Sequence, residues 1–68
     1  MYVPKKSMRL LWDSVVKFFE NNNLDTSIFT PPVDKVDYGR KMNKAFAKMR
    51  NLGIDQEFYT FYKGIKRG

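Results

Sequence analysis

The residues of this sequence that are best suited to chemistry are basic, and they recur at helical spacing. Lys41, Lys44 and Lys48 follow one another at intervals of three and four residues, so a helix would place them on one face. No acidic residue lies between Asp37 and Asp55. Lysine and arginine side chains bind phosphates strongly, because each phosphate that they neutralise releases condensed counterions. The pattern therefore indicates a surface for a polyanion or for an acidic protein.

Polar residues beside these lysines would extend such a surface. Asparagine and lysine can read base edges in a major groove, and arginine can bind a phosphate with two hydrogen bonds. The predicted nucleic-acid-binding residues are Arg40, Lys41, Asn43, Lys44, Lys48, Arg50, Asn51, Lys66 and Arg67. The competing interpretation is an ordinary solvated helix face, although such faces usually mix glutamate with lysine.

An aromatic residue alternates with basic ones near the C-terminus. Tyr59 and Lys63 are expected on the side of their helix that faces away from the core. A tyrosine beside a lysine can stack on nucleic-acid bases or support a protein interface. The interpretation that we favour from the sequence is a half-exposed packing residue.

Catalytic chemistry has little support in the residue inventory. The chain contains no histidine and no cysteine, so a serine nucleophile would need a lysine or a carboxylate as its base. A transition metal would lack soft ligands. The carboxylates have structural explanations, since Asp13 and Glu20 are expected to pair with basic neighbours and the others lie near predicted helix starts. We therefore expect no enzyme activity, no catalytic residue, no metal and no cofactor.

The net charge of +6 is unevenly distributed along the chain. Residues 1–37 contain five basic and five acidic residues, whereas residues 38–68 contain eight basic residues and only two acidic ones. This asymmetry is typical of proteins that bind polyanions. We expect a nucleic acid as the leading partner. The alternative is an adaptor or inhibitor that docks on an acidic protein surface, and a homodimer is a third candidate.

Location is constrained only weakly by the sequence. No stretch approaches the roughly 20 apolar residues that span a bilayer, and the apolar run after Lys5 and Lys6 is interrupted by charges, unlike a signal peptide. The lack of cysteine fits a reducing compartment. We expect a cytoplasmic protein that is complete from Met1 and has no membrane partner. Its small size would suit a virus or a mobile element.

Hydrophobic spacing predicts a single all-α domain over residues 1–68, with a short irregular N-terminal arm and a basic C-terminal tail. Three helices are predicted, near residues 8–21, 32–52 and 56–64. Gly53 and Gly64 are expected to end the second and third helices. The aromatic residues 58–62 would also suit a strand, but no partner strand is evident and the acidic start favours a helix.

The helix starts are predicted from capping residues. Ser7 is expected to cap the first helix and Asp55 the third. The second helix is expected to begin after Thr30 or Pro31, because proline is tolerated in a first turn. The helix-weakening glycine that follows Tyr38 leaves a later start, nearer Tyr38, as the alternative.

Apolar residues at three- and four-residue spacing identify the expected core. Val36 and Tyr38 extend the apolar stripe of the second helix, and Ile28 and Phe29 are expected to pin the first connection onto the core. The predicted core residues are Leu11, Trp12, Val15, Phe19, Phe46, Met49, Phe58 and Phe61.

Overall fold

The apolar periodicity of the chain produces three helices in the computed structural model, which describes residues 2–67. Helix α1 spans Lys6–Asn21, α2 spans Lys35–Leu52 and α3 spans Asp55–Arg67. The described residues include no strand, and residues 58–62 are helical. The prediction of an all-α three-helix domain with an irregular N-terminal arm is therefore confirmed.

Two of the predicted caps are wrong. Helix α1 begins at Lys6, after the extended residue Lys5, and no side chain caps it, so Ser7 lies within its first turn. Helix α3 begins at Asp55 itself, which places Asp55 and Glu57 in the first turn. There the two carboxylates favour the positive end of the helix dipole. The acidic residues thus support the start of α3 by charge instead of by the predicted cap.

Helix α2 starts later than residue 32, at Lys35, because two aspartates cap it reciprocally. The side chain of Asp34 accepts a hydrogen bond from the amide of Asp37 at 2.8 Å. The side chain of Asp37 accepts one from the amide of Val33 at 3.1 Å. These contacts satisfy amides that a helix start leaves without partners. The two prolines therefore precede the helix instead of opening it.

Helices α1 and α2 end in the same way. Asn23 and Gly53 both adopt left-handed backbone angles, with φ of 57° and 72°. The next residues, Leu24 and Ile54, each donate an amide hydrogen bond to the carbonyl five residues earlier, at 2.9 Å in both cases. This is the hydrogen-bond pattern of a Schellman motif. It confirms the predicted end of α2 at Gly53.

The third helix continues past its predicted end. Gly64 lies inside α3, and Lys66 and Arg67 form the last turn. The predicted basic tail is thus helical as far as Arg67. A glycine within a helix costs about 1 kcal/mol relative to alanine, and basic residues at the negative end of the helix dipole offset part of that cost.

The core is built from all three helices. Its buried residues are Val15, Phe18, Phe19, Tyr38, Met42, Ala45, Met49 and Phe58. Four of these, Val15, Phe19, Met49 and Phe58, belong to the predicted core, and Tyr38 lies on the predicted apolar stripe of α2. Val36, expected on the same stripe, is instead 64% exposed. The other predicted core residues are only partly buried and pack against the edge of this cluster: Leu11, Trp12, Phe46 and Phe61. The Cα atoms extend only 16 Å along the shortest axis, so each helix keeps much of its circumference at the surface.

Phe58 of α3 joins the three helices. Its ring centroid lies 5.4 Å from that of Phe18 on α1 and 5.9 Å from that of Phe46 on α2. Both pairs meet edge to face, an arrangement that aromatic rings favour. Helix α3 packs closely along both other helices, whereas the backbones of α1 and α2 approach each other less.

Aromatic side chains fill the wider space between α1 and α2. The ring of Trp12 lies 5.6 Å from Phe29 and 5.4 Å from Tyr38, and Phe29 also meets Phe19 at 5.0 Å. Phe29 comes from the connection between the helices, as predicted. The hydroxyl of Tyr38 donates a hydrogen bond to the carbonyl of Met8 on α1. Burial of the Tyr38 phenol raises its pKa above the ordinary value.

We predict that Tyr38→Phe destabilises the domain by about 0.5–1.5 kcal/mol, the usual net contribution of a hydrogen bond. The substitution removes the contact with the Met8 carbonyl but keeps the ring in the core. Urea denaturation followed by circular dichroism measures the change. Tyr59→Phe is the matched control, because Tyr59 is 56% exposed and its change should stay within about 0.5 kcal/mol. Equal stability of the two variants would contradict the role of the Tyr38 hydroxyl.

Candidate nucleic-acid interface

Helix α2 exposes a row of positive charges. Its buried side is formed by Tyr38, Met42, Ala45 and Met49, which face the core. Arg40, Lys44 and Lys48, at intervals of four residues, are all exposed. Residues four apart are neighbours on a helix surface, so these three side chains line up along one side of α2. We call them the α2 basic row.

Lys41 is already engaged within the fold. Its Nζ lies 2.9 Å from Asp37 Oδ2 and donates to the carbonyl and the hydroxyl of Thr30, at 2.8 and 2.9 Å. Its side chain is only 17% exposed. The hydrogen bond from Lys41 is the main cause that lowers the pKa of the Asp37 carboxyl, and the bond from the Val33 amide is the second. Lys41 therefore holds the connection between α1 and α2 against α2. Its role in nucleic-acid binding stays a prediction.

The α2 basic row borders the connection between α1 and α2. Lys44 and Lys48 line a groove of about 380 Å³ together with Asp25 and the partly buried Ile28. The amide and the hydroxyl of Ser27 donate to the Asp25 carboxylate, both at 2.9 Å. These bonds lower the pKa of Asp25, with a smaller contribution from the charge of Lys48. One carboxylate thus lies near this end of the row.

Of the other predicted residues of α2, Asn51 lies three residues after Lys48 and adjoins the row, whereas Asn43 and Arg50 lie nearer to α3. The ring of Phe46 contacts α3, and Asn43 and Arg50 stand three residues before it and four after it. Because such residues are neighbours on a helix, Asn43 and Arg50 lie on the side of α2 nearer to α3. Asn51 is exposed, as are Asn43 and Arg50. The structure therefore divides the predicted surface into two parts.

The outer face of α3 combines aromatic rings with basic side chains. Lys63 Nζ lies 4.5 Å from the ring centroid of Tyr59, and Lys66 Nζ lies 5.6 Å from that of Tyr62. Both distances are in the range of cation–π contacts. Tyr59 is 56% exposed, as expected for the half-exposed residue that the sequence predicts on this side of α3. Lys66 and the exposed Arg67 continue the positive charge to the end of α3.

The sequence did not predict a groove beside this face, because its lining residues come from all three helices. The groove has a volume of about 440 Å³. It is lined by Leu11, Phe46, Asp55, Gln56, Phe58, Tyr59 and Tyr62. The only feature of the sequence that indicates this groove is the cluster of aromatic residues at 58–62.

Most of the basic residues have no acidic partner. Among residues 2–67, the pair between Lys41 and Asp37 is the only ion pair, so the other seven basic residues after position 37 are unpaired. Asp13 and Glu20, which were expected to pair on α1, form no ion pair within that same range. The positive charge of α2 and α3 is therefore not neutralised by neighbouring side chains.

Residues 2–67 contain neither a candidate metal cluster nor a candidate membrane span. No group of three or more acidic side chains is placed to hold a metal ion there. None of the three helices is long and apolar enough to cross a membrane.

Comparison with known protein families, with curated protein sequences and with solved structures finds no match to this chain.

We predict that Lys41→Gln raises the pKa of Asp37 toward its ordinary value, because the hydrogen bond from Lys41 is the main cause of its lowering. Titration of the carboxyl groups by NMR measures the change. Asp25 is the internal control, since its pKa depends on Ser27 and Lys48 and should not move. An unchanged Asp37 pKa would contradict the bond to Lys41.

The same contact makes stability depend on acid pH. A carboxyl whose pKa is lower in the folded state stabilises that state above its unfolded pKa of about 3.9. This contribution is lost as the pH falls through the folded pKa of Asp37. The free energy of unfolding should therefore fall less steeply below about pH 4 in Lys41→Gln than in the wild type.

Proposed function

We propose that this chain is a small nucleic-acid-associated accessory or regulatory protein that acts by binding and not by catalysis. The observation that carries the proposal is the set of seven basic side chains on α2 and α3 that have no ion pair among residues 2–67. Phosphate groups would supply the missing negative charge.

The spacing of the α2 basic row supports this proposal over an ordinary solvated face. Each pair of like charges four residues apart destabilises a helix by about 0.2–0.5 kcal/mol. Arg40, Lys44 and Lys48 form two such pairs in succession. An exposed surface without a partner would gain stability from an intervening glutamate. A bound polyanion removes the repulsion instead.

The length of the row also suits a phosphate backbone. The eight residue steps from Arg40 to Lys48 rise by about 12 Å along the helix axis. Along the axis of a duplex, the same distance spans three to four base steps of about 3.4 Å each. The row is therefore long enough for its side chains to reach more than one phosphate.

A protein partner is the second candidate function, and exposed valines favour it. Val33 and Val36 are 76% and 64% exposed at the start of α2. Val33 precedes α2 and Val36 lies in its first turn. Exposed apolar side chains that cluster at a surface are typical of protein interaction sites. An adaptor or inhibitor would dock this surface on an acidic protein. Such a complex should be stoichiometric and should survive nuclease treatment.

We predict that the affinity of the protein for nucleic acid falls with salt concentration with a log–log slope of about −4, as four or five phosphate contacts require. Lys44→Gln with Lys48→Gln should reduce the steepness of that slope by about two and weaken binding to all sequences alike. Fluorescence anisotropy at several salt concentrations measures both effects. The free energy of unfolding should change by less than about 0.5 kcal/mol for each exposed substitution.

The matched control replaces Arg9 and Lys17 on α1 with glutamine. It removes the same two charges from a face that also carries acidic residues. The slope should change less in this control than in the α2 variant. Equal effects would exclude a specific role of the α2 basic row. Absence of binding at low salt would overturn the proposed function and favour the protein partner.

A further inference from the structure

The groove beside α3 is lined with flat rings at the surface of the domain. Phe58 and Tyr62 are nearly parallel, with an interplanar angle of 10° and 5.9 Å between their centroids. Phe46 closes the α2 side of the groove, and the exposed Tyr59 stands on the α3 side. The volume of about 440 Å³ is ample for one planar ring system. Its shape and lining suit a flat aromatic group.

Positive charge surrounds these rings. Lys63 lies over Tyr59 and Lys66 over Tyr62, at 4.5 and 5.6 Å from the ring centroids. Arg50 stands four residues after Phe46, on the same side of α2. A flat group that enters the groove would therefore find cations on both sides. This charge favours an occupant that carries negative groups next to its ring.

The polar residues of the groove suit the edge of a base. Asp55 and Gln56 are its only polar lining residues apart from the two tyrosines. A carboxylate can accept a hydrogen bond from the amino group of a base, and an amide can donate and accept. Asp55 would repel a phosphate, so the phosphates are expected beside Lys63 and Arg50 and not within the groove.

From these three observations we infer that the groove receives an unpaired base, and that the protein prefers single-stranded nucleic acid to a duplex. The inference depends on the proposed function and specifies its ligand. Bases within a duplex are stacked on both faces, and one of them enters a protein site only when it is unstacked. Bases of a single strand stack on exposed aromatic residues with little dependence on sequence.

The test compares three fluorescent ligands by anisotropy. The ligands are an oligothymidine of about 12 nucleotides, an abasic strand of the same length, and the corresponding duplex. The two single strands carry equal numbers of phosphates, so they differ only in their bases, which supply stacking and edge hydrogen bonds. Oligothymidine should bind at least about fivefold more tightly than the abasic strand.

Two variants of one exposed residue test the groove. Tyr59→Leu should weaken binding of oligothymidine by about tenfold and leave the abasic strand unchanged, because leucine has no flat ring for stacking. Tyr59→Phe should bind like the wild type. Circular dichroism spectra of both variants should match that of the wild type, since Tyr59 is 56% exposed and lies outside the core cluster.

The outcomes separate this inference from the proposed function. Equal binding of oligothymidine and the abasic strand, or loss of both in Tyr59→Leu, would overturn the stacking site while the phosphate contacts of α2 remain. Tighter binding of the duplex would do the same. Absence of binding by all three ligands would overturn both proposals. A nuclease-resistant protein partner that is lost in Tyr59→Leu would assign the groove to that partner.

Discussion

The contact of Phe58 with Phe18 and Phe46 holds the three helices in one domain. A chain of 68 residues without cysteine has no disulfide to restrict its unfolded state, and it buries only about 60% of the surface of that state. Apolar burial must therefore supply the stability. Aromatic rings bury more area than any other side chain and add a favourable edge-to-face term. Placing one such ring at the junction lets a short α3 stabilise both longer helices at once.

Packing of an aromatic ring also positions the connection between α1 and α2. Phe29 fills the space between the two helices, and its position requires the connection to fold back toward α2. Lys41 secures that path by binding Thr30 and Asp37. A basic residue that the sequence groups with Lys44 thus serves the fold. The sequence alone does not separate the role of Lys41 from that of Lys44, because Thr30 lies eleven residues before Lys41 and contacts it only in the folded chain.

Local signals in the sequence predicted the elements well, and tertiary contacts account for the differences. Three- and four-residue spacing identified all three helices, and Gly53 marked the end of α2 because its φ is positive. Ser7 failed as a cap because the helix extends one residue before it. Trp12 is only partly buried, since the thin domain leaves its helix at the surface. The spacing placed Tyr59 on the outward side of α3, as the structure has it. The shared groove depends on how three helices meet, which no local pattern contains.

The acidic residues in and next to α2 and α3 lie near the starts of these helices. Asp34, Asp37 and Asp55 occupy helix starts, where they cap or favour the dipole. Helix α1, which packs on the same core, carries both signs of charge on its exposed face. Beyond Asp37 on α2 and beyond Glu57 on α3, the charged residues are all basic. These runs of like charge add repulsion to a domain with a small stability margin, and this cost is the physical basis of the proposal that they meet a polyanion.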